Sequence, residues 1–368
     1  MRRAVQLARQ GQGLVEPNPM VGCVIVRDGQ ILSEGFHGVY GGPHAEIVAL
    51  DAAARSGRNV RGATIYVTLE PCSHQGKTPP CADAILEAGL ARVVIAQPDP
   101  FPLVDGGGIQ RLRDAGLQVE VGLLEEEARR LNAPYLTLIE KGRPWVIAKW
   151  AMTLDGKIAS RTGSSQWISN ARSRDVVHDL RGRVDAIVVG ARTAGLDDPS
   201  LTPRPGSGEP LRTPARVVLD ADASLPCNSQ LARSADDAPV LVFVGPNAAP
   251  KDVERLSTHG IEVVTCPTSD ADESMTFVLQ ALAGRKMTNI LVEGGGAVLG
   301  SLFDIHAIDE IHVFIGPKLI GGVEGVSPLG GVGLEAMPEA TTLVDEKIEL
   351  LDGDIHVWGR VKQADPVD

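Results

Sequence analysis

The sequence predicts an α/β protein made of two domains in series. Three observations carry that reading. At 368 residues, the chain has room for about two domains of ~150 residues, each able to bury its own core. Short apolar strands alternate with helical segments through both halves, which is the pattern of sheets covered by helices. Between a helical run and a fresh strand stands Gly142-Arg143-Pro144, a helix stop followed by a turn signal. The expected domains are residues 1–142 and 143–368.

In order, residues 4–9 carry apolar positions at helical spacing, and Glu16-Pro17-Asn18-Pro19 is a turn. Val21–Val26 and Ile31–Phe36 alternate as strands, and Arg27-Asp28-Gly29-Gln30 joins them as a hairpin. Ala45–Arg55 has a helix pattern, Ala63–Leu69 is β-rich, Cys81–Ala88 is helical and Arg92–Ala96 is a strand. Ile109–Ala115 is helical, Gln118–Val121 is extended, and one helix is expected over Glu125–Leu138. A hairpin followed by alternating elements implies a mixed sheet. In the second part the expected strands are Trp145–Lys149, Ala186–Val189, Arg216–Leu219, Val240–Val244, Glu262–Val264, Asn289–Val292, Glu310–Ile315 and Ile355–Val361. Residues 197–215 and 321–340, rich in Gly, Pro or Asp, are expected loops.

Composition excludes several functions. Acidic residues number 47 against 35 basic, a formal charge of −12. Without a basic run, nucleic acid and anionic membranes are poor partners. No apolar run approaches the ~18 residues of a membrane span. The start, Met1-Arg2-Arg3-Ala4-Val5-Gln6-Leu7-Ala8, lacks the apolar core of a secretory signal. Five cysteines are too few and of the wrong parity for a disulfide framework. A cytoplasmic protein is expected.

Three pieces of the first part belong together: Pro43-His44-Ala45-Glu46 at a helix start, Glu70-Pro71-Cys72-Ser73-His74 past a strand, and Pro79-Pro80-Cys81 at another helix start. The imidazole of His44 and the thiolates of Cys72 and Cys81 suit a tetrahedral zinc ion with one position left for water, the catalytic arrangement. Helix starts favour the thiolate form. His-x-Glu followed by a later Pro-Cys is the zinc deaminase signature, in which the glutamate is not a ligand. Zinc there would acidify a water, and Glu46 would carry its proton to the departing amine. Cys23 reads as strand core, and Cys227 and Cys266 show no ligand spacing.

The eight residues between Cys72 and Cys81, Ser73-His74-Gln75-Gly76-Lys77-Thr78-Pro79-Pro80, exceed the usual Cys-x-x-Cys gap. With His44-Ala45-Glu46 and Pro17-Asn18-Pro19-Met20-Val21-Gly22-Cys23-Val24-Ile25-Val26, this loop resembles the bifunctional riboflavin-biosynthesis deaminase–reductases over nearly the whole chain. The resemblance implies a cytidine-deaminase-like α/β/α domain over 1–142 that deaminates a diaminohydroxy-phosphoribosylaminopyrimidine. It makes Asn18 and Lys77 substrate contacts. One departure is Asp99-Pro100-Phe101-Pro102, where the family usually has Asp-Pro-Asn-Pro.

In the second part, Asn289 to Ser301 run strand, Gly-rich turn, helix, a setting suited to phosphate. The spacing is not Gly-x-Gly-x-x-Gly, so a standard Rossmann site is not supported. The segments Lys149–Lys157, Ser165–Ile168, Gly190–Thr202, Val292–Gly295 and Pro317–Gly322 resemble the reductase domain of the same family. That resemblance implies a dihydrofolate-reductase-like α/β fold over 143–368, using NADPH. It places Ala151, Trp167, Thr193, Asp197, Ala221, Gly295, Gly296, Ala297, Val298, Leu299, Gly300 and Ser301 at the cofactor. It turns Ser165, Arg181, Leu201, Arg204 and Glu293 toward the sugar-phosphate substrate, where guanidinium forks suit a phosphate. Ala221 departs from the family, which often has a hydroxyl there. Asp197 and Lys149 are the candidate proton donors for hydride transfer to C1′ of the ribosyl group. The resemblance also implies a homo-oligomer.

Two rivals stay open at this level. One is a nucleoside or base deaminase fused to an unrelated reductase. The other is a binding protein with a structural zinc closed by a fourth ligand such as His74.

Overall fold

The computed structural model describes residues 1–73, 79–204, 206, 208–322, 325–337 and 340–362. The chain divides into two compact units, Met1–Gly142 and Arg143–Asp368.

In order, the first unit contains α1 (Arg2–Ala8), β1 (Gly22–Arg27), β2 (Gln30–Phe36), α2 (Ala45–Arg55), β3 (Thr64–Val67), α3 (Cys81–Glu87), β4 (Arg92–Ile95), α4 (Gly107–Asp114), β5 (Gln118–Val121), α5 (Glu125–Leu131) and α6 (Ala133–Lys141). Its sheet has the order β2-β1-β3-β4-β5. β1 is antiparallel to β2 and β3, and β3, β4 and β5 are parallel. The sheet is therefore mixed, as the hairpin followed by alternation requires.

On one face, α2, α3 and α4 press Ala49, Ile85 and Leu112 onto Ile25, Ile65 and Ile95. On the other, Ala4 and Leu7 of α1 cover Val24. This three-layer packing fixes the starts of α2 and α3 and the end of β3. The single helix expected over Glu125–Leu138 is two. It breaks at Asn132, whose side-chain amide leaves the helix line to bond both backbone groups of Met20, and Pro134 sits in the first turn of α6.

The second unit contains β6 (Trp145–Thr153), α7 (Ala171–Arg181), β7 (Ala186–Gly190), α8 (Ala191–Asp197), β8 (Ala215–Leu219), α9 (Gln230–Arg233), β9 (Val240–Val244), α10 (Pro250–Ser257), β10 (Glu262–Thr265), α11 (Ala271–Gly284), β11 (Asn289–Val292), α12 (Gly296–Asp304), β12 (Glu310–Gly316), β13 (Leu343–Leu351) and β14 (Asp354–Val361). The sheet order is β10-β9-β8-β7-β11-β6-β12-β14-β13. The first seven strands in that order are parallel, and β14 and β13 close the edge antiparallel.

Helices cover both faces of this sheet. Leu180, Leu231 and Leu256 of α7, α9 and α10 pack with Ile187, Val218 and Val242. Met275, Leu282 and Leu299 of α11 and α12 pack with Val188, Val217 and Ile290. Because β11 inserts between β6 and β7, the strand order switches there, and the crevice at such a switch is where open α/β sheets take ligands. β13 is absent from the strands expected from sequence. As an edge strand, its residues Val344 to Leu350 are all exposed, so burial imprints no alternation on them.

Candidate active sites

The zinc donors expected from sequence converge. His44 is the N-cap of α2, Cys81 is the first residue of α3, and Cys72 follows β3. The Nδ1 of His44 lies 3.2 Å from Cys81 Sγ and 3.6 Å from Cys72 Sγ. All three donor atoms fall within 4.8 Å of one another. A tetrahedral ion with bonds of about 2.0–2.3 Å sets its ligands roughly 3.3–3.8 Å apart, so the cluster fits zinc by both donor chemistry and spacing. The Cys81 thiol and His44 lower the Cys72 thiol to about 4, while the hydrogen bond to the Cys72 sulfur and then burial push Cys81 up.

Glu46 stands in the first turn of α2, only 3 % exposed. Burial raises its carboxyl above the usual value, while His44 partly opposes the rise. A carboxyl whose hold on a proton is strengthened by burial is suited to take a proton and return it. Asn18 donates through Nδ2 to His37 Nε2 at 3.1 Å, and His37 Nδ1 donates to Pro43 O at 3.0 Å. The His37 ring meets that of His44 edge-on at 5.6 Å. The sequence reading missed His37, because nothing in its spacing links a strand end to the turn at Asn18. Lys77 and His74 lie outside the described residues.

In the second unit the expected residues fall into separate groups. Ser165 and Asp197 line one open groove of about 790 Å³, together with Thr162, Gln166 and Arg192. That volume suits a small-molecule ligand. Burial raises the Asp197 carboxyl. Trp167, next to Gln166, is 62 % exposed and carries the Arg174 guanidinium 4.5 Å above its ring. Arg192 was not anticipated; its guanidinium faces the 162–166 loop near Gly163.

A second group centres on Glu293, just past β11. Arg181 donates Nε and Nη2 to its two oxygens at 2.5 and 3.0 Å, and Lys149 Nζ donates at 3.2 Å. Burial would raise this carboxyl, but the charges and hydrogen bonds of Lys149 and Arg181 prevail and hold it at about 2. Two donors of the Arg181 fork are thus engaged by a carboxylate. The Arg204 backbone N–H donates to His178 Nδ1 at 3.2 Å. Burial and the charges of Arg181 and Arg204 lower that imidazole.

The Gly-rich turn has a structural duty as well. A Cβ on Gly296 would stand 2.7 Å from Ser327 O, and one on Gly300 would overlap Gly330. These glycines admit the 327–331 backbone rather than an open phosphate cradle. Gly295 faces Thr193, whose Oγ1 lies 3.8 Å from where its Cβ would stand. Around them Ala297 is exposed, Val298 and Ser301 are half-buried, and Leu299 is core. Leu201 is 2 % exposed, packed in the core with Leu180 and Leu231, so its backbone is what remains for a ligand. Ala151 pairs with Phe314 inside the sheet. Ala221 is exposed past β8, its carbonyl accepting from Gly245 N.

Family models match both units. "Cytidine and deoxycytidylate deaminase zinc-binding region" covers residues 1–97, and "RibD C-terminal domain" covers 144–357. The "Riboflavin biosynthesis protein RibD" of Aquifex aeolicus is 40% identical over 97% of this chain and 96% of its own length. Among solved structures, a Thermotoga maritima diaminohydroxyphosphoribosylaminopyrimidine deaminase/5-amino-6-(5-phosphoribosylamino)uracil reductase is similar at TM-score 0.83 and 38% identity, covering 98% of this chain and 97% of that one. Acinetobacter baumannii RibD is similar at TM-score 0.84 and 34% identity, covering 98% and 97%.

Proposed function

The chain belongs to the RibD family of bifunctional riboflavin-biosynthesis enzymes, and on that premise we propose that residues 1–142 carry its deaminase reaction and residues 143–368 its reductase reaction. The enzyme is a zinc-dependent deaminase and an NADPH-dependent reductase acting on a pyrimidine intermediate. This whole-length relationship sets aside a nucleoside or base deaminase fused to an unrelated reductase. The observation that carries the first assignment is the three-donor cluster with a buried carboxyl beside it.

His44, Cys72 and Cys81 hold the metal, whose chemistry when bound is to acidify water near neutral pH. Glu46, lifted by burial, takes the proton released as oxygen adds to the carbon bearing the amine of 2,5-diamino-6-hydroxy-4-(5-phosphoribosylamino)pyrimidine. It returns that proton to the nitrogen as the C–N bond breaks and ammonia leaves. Asn18, oriented by His37, reaches the substrate, and Lys77 meets its phosphate. Three protein donors leave a fourth tetrahedral position for water, the catalytic arrangement.

In the reductase, NADPH supplies the hydride. Thr193, Trp167, Asp197, Ala151, Ala221, Gly295 and the start of α12 at Ala297, Val298 and Ser301 hold the cofactor. Ser165, Arg204, Arg181, Glu293 and the Leu201 backbone face the sugar-phosphate substrate, with the guanidinium groups suited to its phosphate. Hydride goes to C1′ of the opened ribosyl imine, and one proton must reach the nitrogen. Lys149 is committed to Glu293, so Asp197, unpaired among the described residues and lining the groove, is the proton donor of choice.

The test is an assay with the pyrimidine substrate, with and without NADPH, on protein of measured zinc content. Ammonia release without NADPH, followed by NADPH oxidation that requires the deaminated product, is the expected outcome. Zinc-free protein that still releases ammonia refutes the first half. NADPH oxidation independent of the product refutes the second.

No helix among the described residues is long and apolar enough to cross a membrane. A cytoplasmic homo-oligomer is the assignment proposed. Its support is the odd number of cysteines, five in a long chain, and the outer edge of β13, where Ile348 and Leu350 are 70 % and 74 % exposed on a strand able to pair again. Sedimentation giving a monomer at micromolar concentration would exclude the oligomer.

A further inference from the structure

Behind the metal cluster, four backbone N–H groups converge on one carboxylate. Glu70 lies past the end of β3, two residues before Cys72, and is 4 % exposed. Its Oε1 accepts from Gly108 N at 2.9 Å and Ile109 N at 3.0 Å. Its Oε2 accepts from Gly106 N at 3.2 Å and Asp99 N at 3.3 Å. Gly108 and Ile109 belong to the first turn of α4, whose N–H groups have no partner within the helix. A carboxylate also suits the positive end of the helix dipole.

The same turn presses on the residues flanking Cys72. A Cβ on Gly108 would overlap Pro71 O, and one on Gly107 would stand 2.9 Å from Ser73 Oγ. Pro71 and Ser73 bracket the ligand, so α4 forms a wall behind it and Glu70 ties that wall to β3. The brace continues outward. Asp99 Oδ1 accepts from Phe101 N at 3.0 Å and from the Tyr135 hydroxyl at 2.8 Å, which links the loop to α6.

We propose that Glu70 and Gly108 are positioning residues of the metal centre, fixing the backbone from which Cys72 presents its sulfur. The inference rests on the zinc reading above. A thiolate must meet the ion within a few tenths of an ångström, and the chain between Glu70 and Cys72 is too short to absorb a shift of that wall. Glutamate is required rather than glutamine, because an amide would aim its own N–H₂ at two of the four donors.

The experiment measures zinc affinity of the full chain by competition with a chromophoric chelator, for the parent, Glu70→Gln, Gly108→Ala and Gly107→Ala. Supporting residues of this kind change metal affinity by about 10- to 100-fold, and that loss is expected for Glu70→Gln and Gly108→Ala. Gly107→Ala should stay near the parent, because the Ser73 side chain can rotate away. NADPH-dependent reduction of supplied deaminated substrate should be unchanged in all three. Excess zinc should restore ammonia release in Glu70→Gln. Parent-like zinc affinity in both Glu70→Gln and Gly108→Ala overturns the proposal, as does joint loss of zinc binding and reduction. A parent that binds no zinc instead overturns the reading on which it rests.

Discussion

Replacing Glu293 with Gln should destabilise the second unit and remove a distinct acid sensitivity. Its side chain is 9 % exposed and faces Lys149 and Arg181, which are 17 % and 13 % exposed. Despite burial, those two cations hold the carboxyl at about 2. Relative to an ordinary glutamate near 4.3, that difference is worth roughly 3 kcal/mol at pH 7. Breaking a buried pair by removing one partner costs about 3–5 kcal/mol, in agreement.

The folded value is depressed, so the contribution is present in full above about 4.3 and is lost as pH falls toward 2. All four tryptophans, at 145, 150, 167 and 358, lie in this unit, so their fluorescence in urea reports its unfolding alone. At a slope of a few kcal/mol per molar urea, Glu293→Gln should lower the midpoint by about 1 M at pH 7. The gap between parent and variant should close as pH falls from 4.3 toward 2. Equal midpoints at pH 7, or a gap that does not narrow in acid, would refute the reasoning.

Three further outcomes are expected. Glu46→Gln should slow ammonia release by about 10²- to 10⁴-fold, the range for a lost proton carrier, and leave zinc content and reduction intact; measurable deamination near the parent rate would count against its role. Removing zinc with a chelator, or Cys72→Ser, should abolish ammonia release while NADPH oxidation with the deaminated product continues, read by absorbance at constant protein. Leu201→Ala should destabilise the tryptophan-bearing unit by about 2–5 kcal/mol through the cavity it leaves, seen in the same urea titration; a change in substrate KM without that loss would show that its side chain works at the site instead.

The candidate metal donors, which the structure brings within 4.8 Å of one another, were legible because each sits on a local signal. His44 caps a helix, Cys81 opens another, Cys72 follows a strand, and the chemistry demands these residue types. The central strands β7, β8, β9 and β11 of the second unit were legible for a related reason: buried on both faces, they read as continuous apolar runs. Exposed β13 left no such trace, and the helix over Glu125–Leu138 looked continuous because nothing local shows that Asn132 turns toward Met20.

The chain by itself determined the alternation of elements, the break near Gly142 and the candidate donor set for zinc, since these depend on residue type, period and short spacing. Tertiary structure decided everything that joins distant segments. Glu70 reaches N–H groups 29 to 39 residues away, and Glu293 takes its cations from 112 and 144 residues away. Placing β11 between β6 and β7 is what assembles that second cluster. The physical reason is that a carboxylate's partners, and the space a glycine must leave open, are set by which backbones pack together, and no local periodicity encodes that.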